Sequence, residues 1–279
     1  MVKAIDIMNY YLTPEAKKKW EDAKADEMTC RMEASVDGGL PSLTPAELVA
    51  QMDESGVEKT LLCGCYMFSY WQRKMIYEPN HDAIIEAVRK YPDRLVGIAG
   101  YNPFRIPESI KELERVVKEH SFKGVYIHIY GFDMPLTDAR MYPLYGKCLE
   151  LDIPISMQVG HVLEAMPSEH ARPIMLDRIS LDFPGIKLIG AHTGYPWCDE
   201  LISVCYKHEN VYFGADAWSP RQFQPSVVKF IDGWGRKKSV WGTNGLPPKL
   251  LLDQMGDLDV RDEARDNLLR ETAVKLFKL

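Results

Sequence analysis

The chain repeats one phrase: a short apolar run, a longer amphipathic stretch, a Gly or Pro break, and the next apolar run. Eight such runs stand at Val2–Met8, Thr60–Cys65, Leu95–Gly100, Gly124–Tyr130, Ile153–Gln158, Lys187–His192, Val211–Asp216 and Ser239–Asn244. Most lack polar/apolar alternation, the pattern of strands buried on both faces of a parallel sheet. Between them helices are predicted over Thr44–Ser55, Asn80–Tyr91, Pro107–His120, Asp138–Leu151, Ala171–Phe183, Tyr195–His208 and Gln222–Trp234, with a last one over Val260–Phe277. The first shows the local chemistry best. Thr44 is its N-cap, Pro45 its first helical residue, Glu47 completes a capping box, and Gly56 ends it.

Eight strand–helix units in 279 residues is the arithmetic of a (β/α)8 barrel, typically about 250 residues long. A doubly wound open sheet is the alternative, but the glycine-rich phosphate loop it carries after its first strand is missing after Ile7. One barrel then takes up residues 1–279. Residues 11–41 are the long insertion. They follow the first strand, where a lid over the catalytic face belongs.

Composition narrows the partners. The chain carries 34 Lys+Arg against 40 Asp+Glu, a net charge of −6, which argues against a nucleic-acid-binding face. No stretch approaches the roughly 20 apolar residues of a membrane span. The start has no basic region followed by a long apolar run, so no signal peptide is expected. The cysteines, Cys30, Cys63, Cys65, Cys148, Cys198 and Cys205, are irregularly spaced, as expected of reduced thiols in a cytoplasmic protein.

In a barrel, chemistry is read at the C-terminal ends of the strands. Here they offer Asn9 and Tyr10, His128, Gln158 and His161, His192, Asp216 and Trp218, and Asn244. His192 is the leading acid/base candidate, since imidazole exchanges protons near neutrality. Asp216 can orient a histidine or bind a hydroxyl. His128 alternates with Tyr126 and Tyr130, so all three face one side. Arg31, Arg73, Arg105, Arg140 and Arg221 are candidates to clamp a carboxylate. The other four histidines, His81, His120, His170 and His208, are expected in solvated or capping roles. The many aromatic residues near strand ends suggest a pocket for a flat or apolar ligand.

The phrases AIDIMNYY, NHDAIIEAVRKYPDRLVGIAGYNP, MYPLYGKCLELDIPISMQVGH, FPGIKLIGAHTGYPWCDELISVCYKHENVYFGAD and VWGTNGLPP resemble the amidohydrolase-related family, which includes aminocarboxymuconate-semialdehyde and γ-resorcylate decarboxylases. The resemblance runs in order along nearly the whole chain and implies the same barrel. It also implies a metal site: His-x-His ending strand one, a His ending strand five and an Asp ending strand eight. Those positions read Met8 and Tyr10, Gln158, and Asn244. Only the strand-six histidine, the acid/base of the decarboxylases, is retained, as His192. A thioether, a phenol and two carboxamides make a poor site for zinc, so no metal and no other cofactor is expected.

The sequence therefore points to a metal-independent hydrolase or decarboxylase/lyase. It would act on a small aromatic or unsaturated carboxylate or lactone. His192, Tyr10 and Asn244 form the catalytic set. Asn9, Gln158, His128, His161, Asp216 and Trp218 form the binding set, and donors in the vacated site hold a substrate oxygen. The alternative is an inactive paralogue serving as a ligand-binding or structural subunit beside a metal-bearing relative. A homo-oligomer, most simply a dimer, is expected in the first case and a hetero-oligomer in the second.

Overall fold

The computed structural model describes residues 3–10, 13–22, 42–129, 131–162 and 166–279. Its eight parallel strands are β1 (Ala4–Tyr10), β2 (Val57–Cys63), β5 (Leu95–Gly100), β6 (Val125–Ile127), β7 (Ile155–Gln158), β8 (Leu188–Ala191), β9 (Val211–Ala215) and β10 (Ser239–Trp241), hydrogen-bonded in that order. This is the (β/α)8 barrel; the doubly wound alternative falls, because the order follows the chain without reversal. All eight strands overlap the apolar runs but several differ from them in their ends. The run Gly124–Tyr130 keeps its strand pairing only over Val125–Ile127.

The first helix beyond the insertion, Pro45–Ser55, has both arms of its capping box, and Gly56 closes it at φ 83°. Further helices span His81–Lys90, Ile106–His120, Tyr142–Glu150, Met175–Asp182, Cys198–Lys207 and Pro225–Asp232. The long C-terminal pattern is broken into Asp262–Asp266, a π-helical turn Asn267–Glu271, and Thr272–Phe277. Three elements escaped the sequence reading: an antiparallel hairpin of β3 (Met67–Ser69) and β4 (Lys74–Tyr77), a helix Pro248–Gly256, and a helix Pro14–Asp22 inside the insertion. The remainder of the insertion, residues 23–41 with Cys30 and Arg31, lies outside the described residues.

Strand period 2 divides the apolar residues between two cores. Ile5, Ile7, Leu61, Cys63, Ile98, Tyr126, Ile189 and Val240 fill one, with Leu276 and Phe277 of the last helical turn joining them. Ala4, Leu62, Ala99, Leu188 and Phe213 pack with the helices in the other. Among the described residues no helix is long and apolar enough to cross a membrane. Cys63, Cys148, Cys198 and Cys205 are buried free thiols, and Cys65 is buried as well.

Two of the four histidines expected in solvated or capping roles are buried instead. His81 Nε2 accepts the Gly100 N–H at 3.1 Å while Nδ1 faces Glu112 at 3.0 Å. His208 Nε2 faces Asp177 at 2.6 Å. Each ties a helix to its neighbours, which a single sequence does not display.

No ladder of strand pairs joins β10 to β1 among the described residues; a side chain holds that seam. Asp6, 1% exposed, accepts Met8 N–H at 3.1 Å and Thr243 N–H at 2.8 Å through Oδ1, and Thr243 Oγ1–H at 2.7 Å through Oδ2. Asn244 N–H then donates to Met8 O at 2.7 Å. Burial pushes the Asp6 carboxyl up to about 6, against the pull of these donors.

Asp6→Ala should lower unfolding free energy by about 3 kcal/mol or more, since it orphans several buried donors at once. The pH dependence has a definite sign. The Asp6 carboxyl sits at about 6 in the folded chain, above its ordinary 3.8. Its contribution is therefore complete below pH 4 and is lost as pH rises through 6. Compared with Asp6→Asn, the wild type should lose about 3 kcal/mol of relative stability across that window, read by urea unfolding at each pH.

Candidate active site

His192 follows β8, and its ring is fixed by one carboxylate. Asp216, fully buried after β9, accepts the His192 backbone N–H through Oδ1 at 3.0 Å and meets the ring Nδ1 through Oδ2 at 2.6 Å. This places the proton on Nδ1 and leaves the Nε2 lone pair for chemistry. Nε2 is buried and has no hydrogen-bond partner among the described residues. Of the two sequence options for Asp216, orienting a histidine is the one the geometry realises.

The space for that carboxylate comes from a glycine. A Cβ on Gly214 would lie 2.7 Å from Asp216 Oδ1 and 2.9 Å from Ala191 Cα. The backbone here is also forced. His192, Thr193, Ala217 and Asn244 all have positive φ, at 63°, 56°, 64° and 54°. Non-glycine residues in this region carry strain, and such strain gathers at functional sites.

A second cluster stands across the barrel. The hydroxyl of Tyr10, at the end of β1, lies 3.0 Å from the Tyr126 hydroxyl and 3.3 Å from His128 Nδ1, and Tyr126 is itself 3.2 Å from that nitrogen. Burial first, and the charge of His192 second, hold His128 well below the ordinary imidazole range. Burial pushes the Tyr126 phenol far up. At neutral pH the cluster is uncharged and carries two phenolic protons. Tyr126 is the residue that sequence reasoning left out of the site, although its alternation with His128 was the available signal.

His161 stacks with its neighbours at the rim: its ring centroid is 5.8 Å from those of Tyr195 and Trp218, which are 4.5 Å apart. Burial and the charge of His192 lower its pKa. Gln158 ends β7 opposite Ala191 in register, and its Oε1 is buried without a partner, as is Asn244 Oδ1. Asn9 does not turn to the site. Its Nδ2 faces Asp6 Oδ2 at 3.4 Å and Thr243 Oγ1 at 3.5 Å, so it serves the seam. The candidate clamps are engaged elsewhere: Arg73 with Asp133, Arg105 with Glu78, Arg140 with Asp138 and Arg221 with Asp257. Arg31 and Tyr130 lie outside the described residues.

Comparison with known proteins agrees with this architecture. The amidohydrolase family model matches residues 67–279, and the chain belongs to that family. A 2-keto-4-carboxy-3-hexenedioate hydratase of Sphingobium sp. is 34% identical over 109 residues, a match spanning 32% of this chain and 32% of the hydratase. Among solved structures, an uncharacterised TIM-barrel protein from Bordetella bronchiseptica superposes with a TM-score of 0.80 at 18% identity, covering 99% of each chain. A 5-carboxyvanillate decarboxylase from Novosphingobium aromaticivorans, solved with bound manganese, superposes at 0.74 and 18% identity, covering 100% of this chain and 97% of that one. At these identities the superpositions speak for the fold.

The residues at the family's metal positions do not fit a divalent ion. Met8 is packed in the barrel core, and the Tyr10 hydroxyl is engaged by Tyr126 and His128. Among the described residues, no three His, Cys, Asp or Glu side chains are gathered so as to hold an ion.

Gly214→Ala should displace the Asp216 carboxylate and cost about 1–3 kcal/mol through overpacking. Urea unfolding gives the cost. A crystal structure of the variant should show the His192–Asp216 contact lengthened.

Proposed function

We propose that this chain is an acid–base lyase that works without a metal. It moves a proton at a carbon conjugated with a carboxylate, coupled to loss of CO2 or gain of water. The observation that carries the reading is the buried His192–Asp216 pair, 2.6 Å from Nδ1 to Oδ2, which leaves Nε2 without a partner among the described residues. Asp216 fixes the ring through Nδ1, so His192 can take a proton at Nε2 and return it to carbon. The Tyr10 phenol, supported by Tyr126 and His128, supplies a neutral hydrogen-bond donor for a substrate oxygen. His161, Tyr195 and Trp218 form a wall suited to a flat, unsaturated substrate.

The relatives point to the same chemistry. One adds water to a keto-carboxylate alkene and another removes CO2 from a hydroxylated aromatic acid. Both reactions exchange a proton at carbon beside a conjugated oxygen, and that step needs only an aligned acid/base and an oxygen-binding donor. The thioether, phenol and carboxamides at the metal positions are uncharged and poor ligands for a divalent ion, which supports a route without a cation.

The test is turnover of 5-carboxyvanillate and of 2-keto-4-carboxy-3-hexenedioate, followed by ultraviolet absorption. With the better substrate, His192→Ala should lower kcat by about 10²–10⁴ with the fold intact by circular dichroism. Full activity in His192→Ala would remove the assignment. Dialysis against a chelator should leave kcat unchanged, and stoichiometric manganese, zinc or iron in the purified protein would overturn the metal-free reading.

A further inference from the structure

Three buried atoms at the strand ends share one property. Among the described residues His192 Nε2, Gln158 Oε1 and Asn244 Oδ1 have no hydrogen-bond partner, and all three are acceptors. For His192 the tautomer is set by Asp216. Carboxamide oxygens accept by nature.

The fold brings their strands together. Gln158 is in register with Ala191, which precedes His192. Asn244 N–H donates to Met8 O. A Cβ on Gly242, two residues earlier, would lie 3.3 Å from Asp216 Cβ. A buried acceptor without a donor carries the full cost of its desolvation, so such a group is best matched by a ligand that brings the hydrogen.

We infer that the place the family gives to a cation is, in this chain, an acceptor pocket. It binds the neutral O–H of an enol or phenol rather than the oxyanion. The inference rests on the reading above for the kind of ligand, a conjugated hydroxy or enol acid, and adds the protonation state in which that ligand is held.

The charges around the site act in the same direction. Asp6 and Asp216 are buried acids beside the strand ends that carry these atoms. Arg73, Arg105, Arg140 and Arg221 after the strands are paired with acids, and so is Arg172, with Glu200. A ligand hydroxyl in the same field keeps its proton, whereas a bound divalent cation would strip it.

The test uses the purified 279-residue chain and 4-nitrophenol, whose phenol and phenolate forms absorb differently. The bound probe is expected to stay in the phenol form at pH values above its free pKa. Its Kd should weaken about tenfold per pH unit above that pKa, the slope for binding only the protonated form. Gln158→Met should weaken probe binding while keeping Tm within about 4 °C of wild type or raising it.

A phenolate band on the bound probe below its free pKa would overturn the inference, and so would no binding at millimolar probe. A fall in Tm beyond that margin in Gln158→Met would also overturn it, because Oε1 would then be bonded within the protein. These readouts do not involve turnover. Failure here therefore leaves the role of His192 standing, and loss of that role would leave the probe spectrum unchanged.

Discussion

A barrel sheet must meet itself, and in this chain the meeting depends on one buried carboxylate. The ladder from β1 round to β10 is continuous on one side. At the seam Asp6 accepts from Met8 N–H, Thr243 N–H and Thr243 Oγ1–H. Backbone donors that cannot reach a neighbouring strand would otherwise be buried unsatisfied. The same clasp fixes where β1 and β10 end, and therefore where Tyr10 and Asn244 stand. Closure of the fold and placement of half the site are one event. Asn9 is drawn into it through Asp6 and Thr243, which explains why a residue beside the pocket does not face it.

The other half of the site is built by a second buried carboxylate with a different task. Asp216 closes no sheet; it holds one residue by two bonds, backbone and ring. That grip helps keep His192 at positive φ, a conformation the isolated residue would avoid. Gly214 leaves the room. Strain, small residues and a buried charge thus occur at one place because each requires the others. The strain is tolerable only with the carboxylate present, and the carboxylate fits only beside a glycine.

The fold was legible because parallel strands buried on both sides announce themselves as apolar runs, and eight of them with helices between admit few arrangements. The hairpin Met67–Tyr77 was not legible: its second strand, KMIY, is part exposed and too short to carry a pattern. The helix at Asp138–Leu151 is interrupted, because Ala139–Met141 form a 3-10 turn before Tyr142. Its propensity did not show that. In the site, His192, Gln158, Asp216 and Asn244 could be placed from strand ends alone. The pairing of His192 with Asp216 spans 24 residues, and the Tyr10–Tyr126 contact spans 116. Such contacts are consequences of closure, invisible to local pattern. The buried state of His81 and His208 was missed for the same reason, since their carboxylate partners lie 31 residues away in each case.

The replacements at the family's metal positions make sense only as a set. A divalent cation among Met8, Tyr10 and Gln158 would lack the imidazole and carboxylate donors that offset its charge. Conversely, an aspartate at position 244 with no cation would add a third buried carboxylate beside Asp6 and Asp216. Like charges in a desolvated site force one of them to hold a proton. Asp6 is already raised to about 6 by burial, so further negative charge would push it higher and load the seam with a protonation equilibrium near neutrality. Asn244 avoids this. It keeps the size of the aspartate and is among the residues that best tolerate its positive φ of 54°, while removing the charge. The neutral residue at 244 therefore protects the barrel closure as well as shaping the pocket, and the chemistry of the site and the stability of the fold meet in that one side chain.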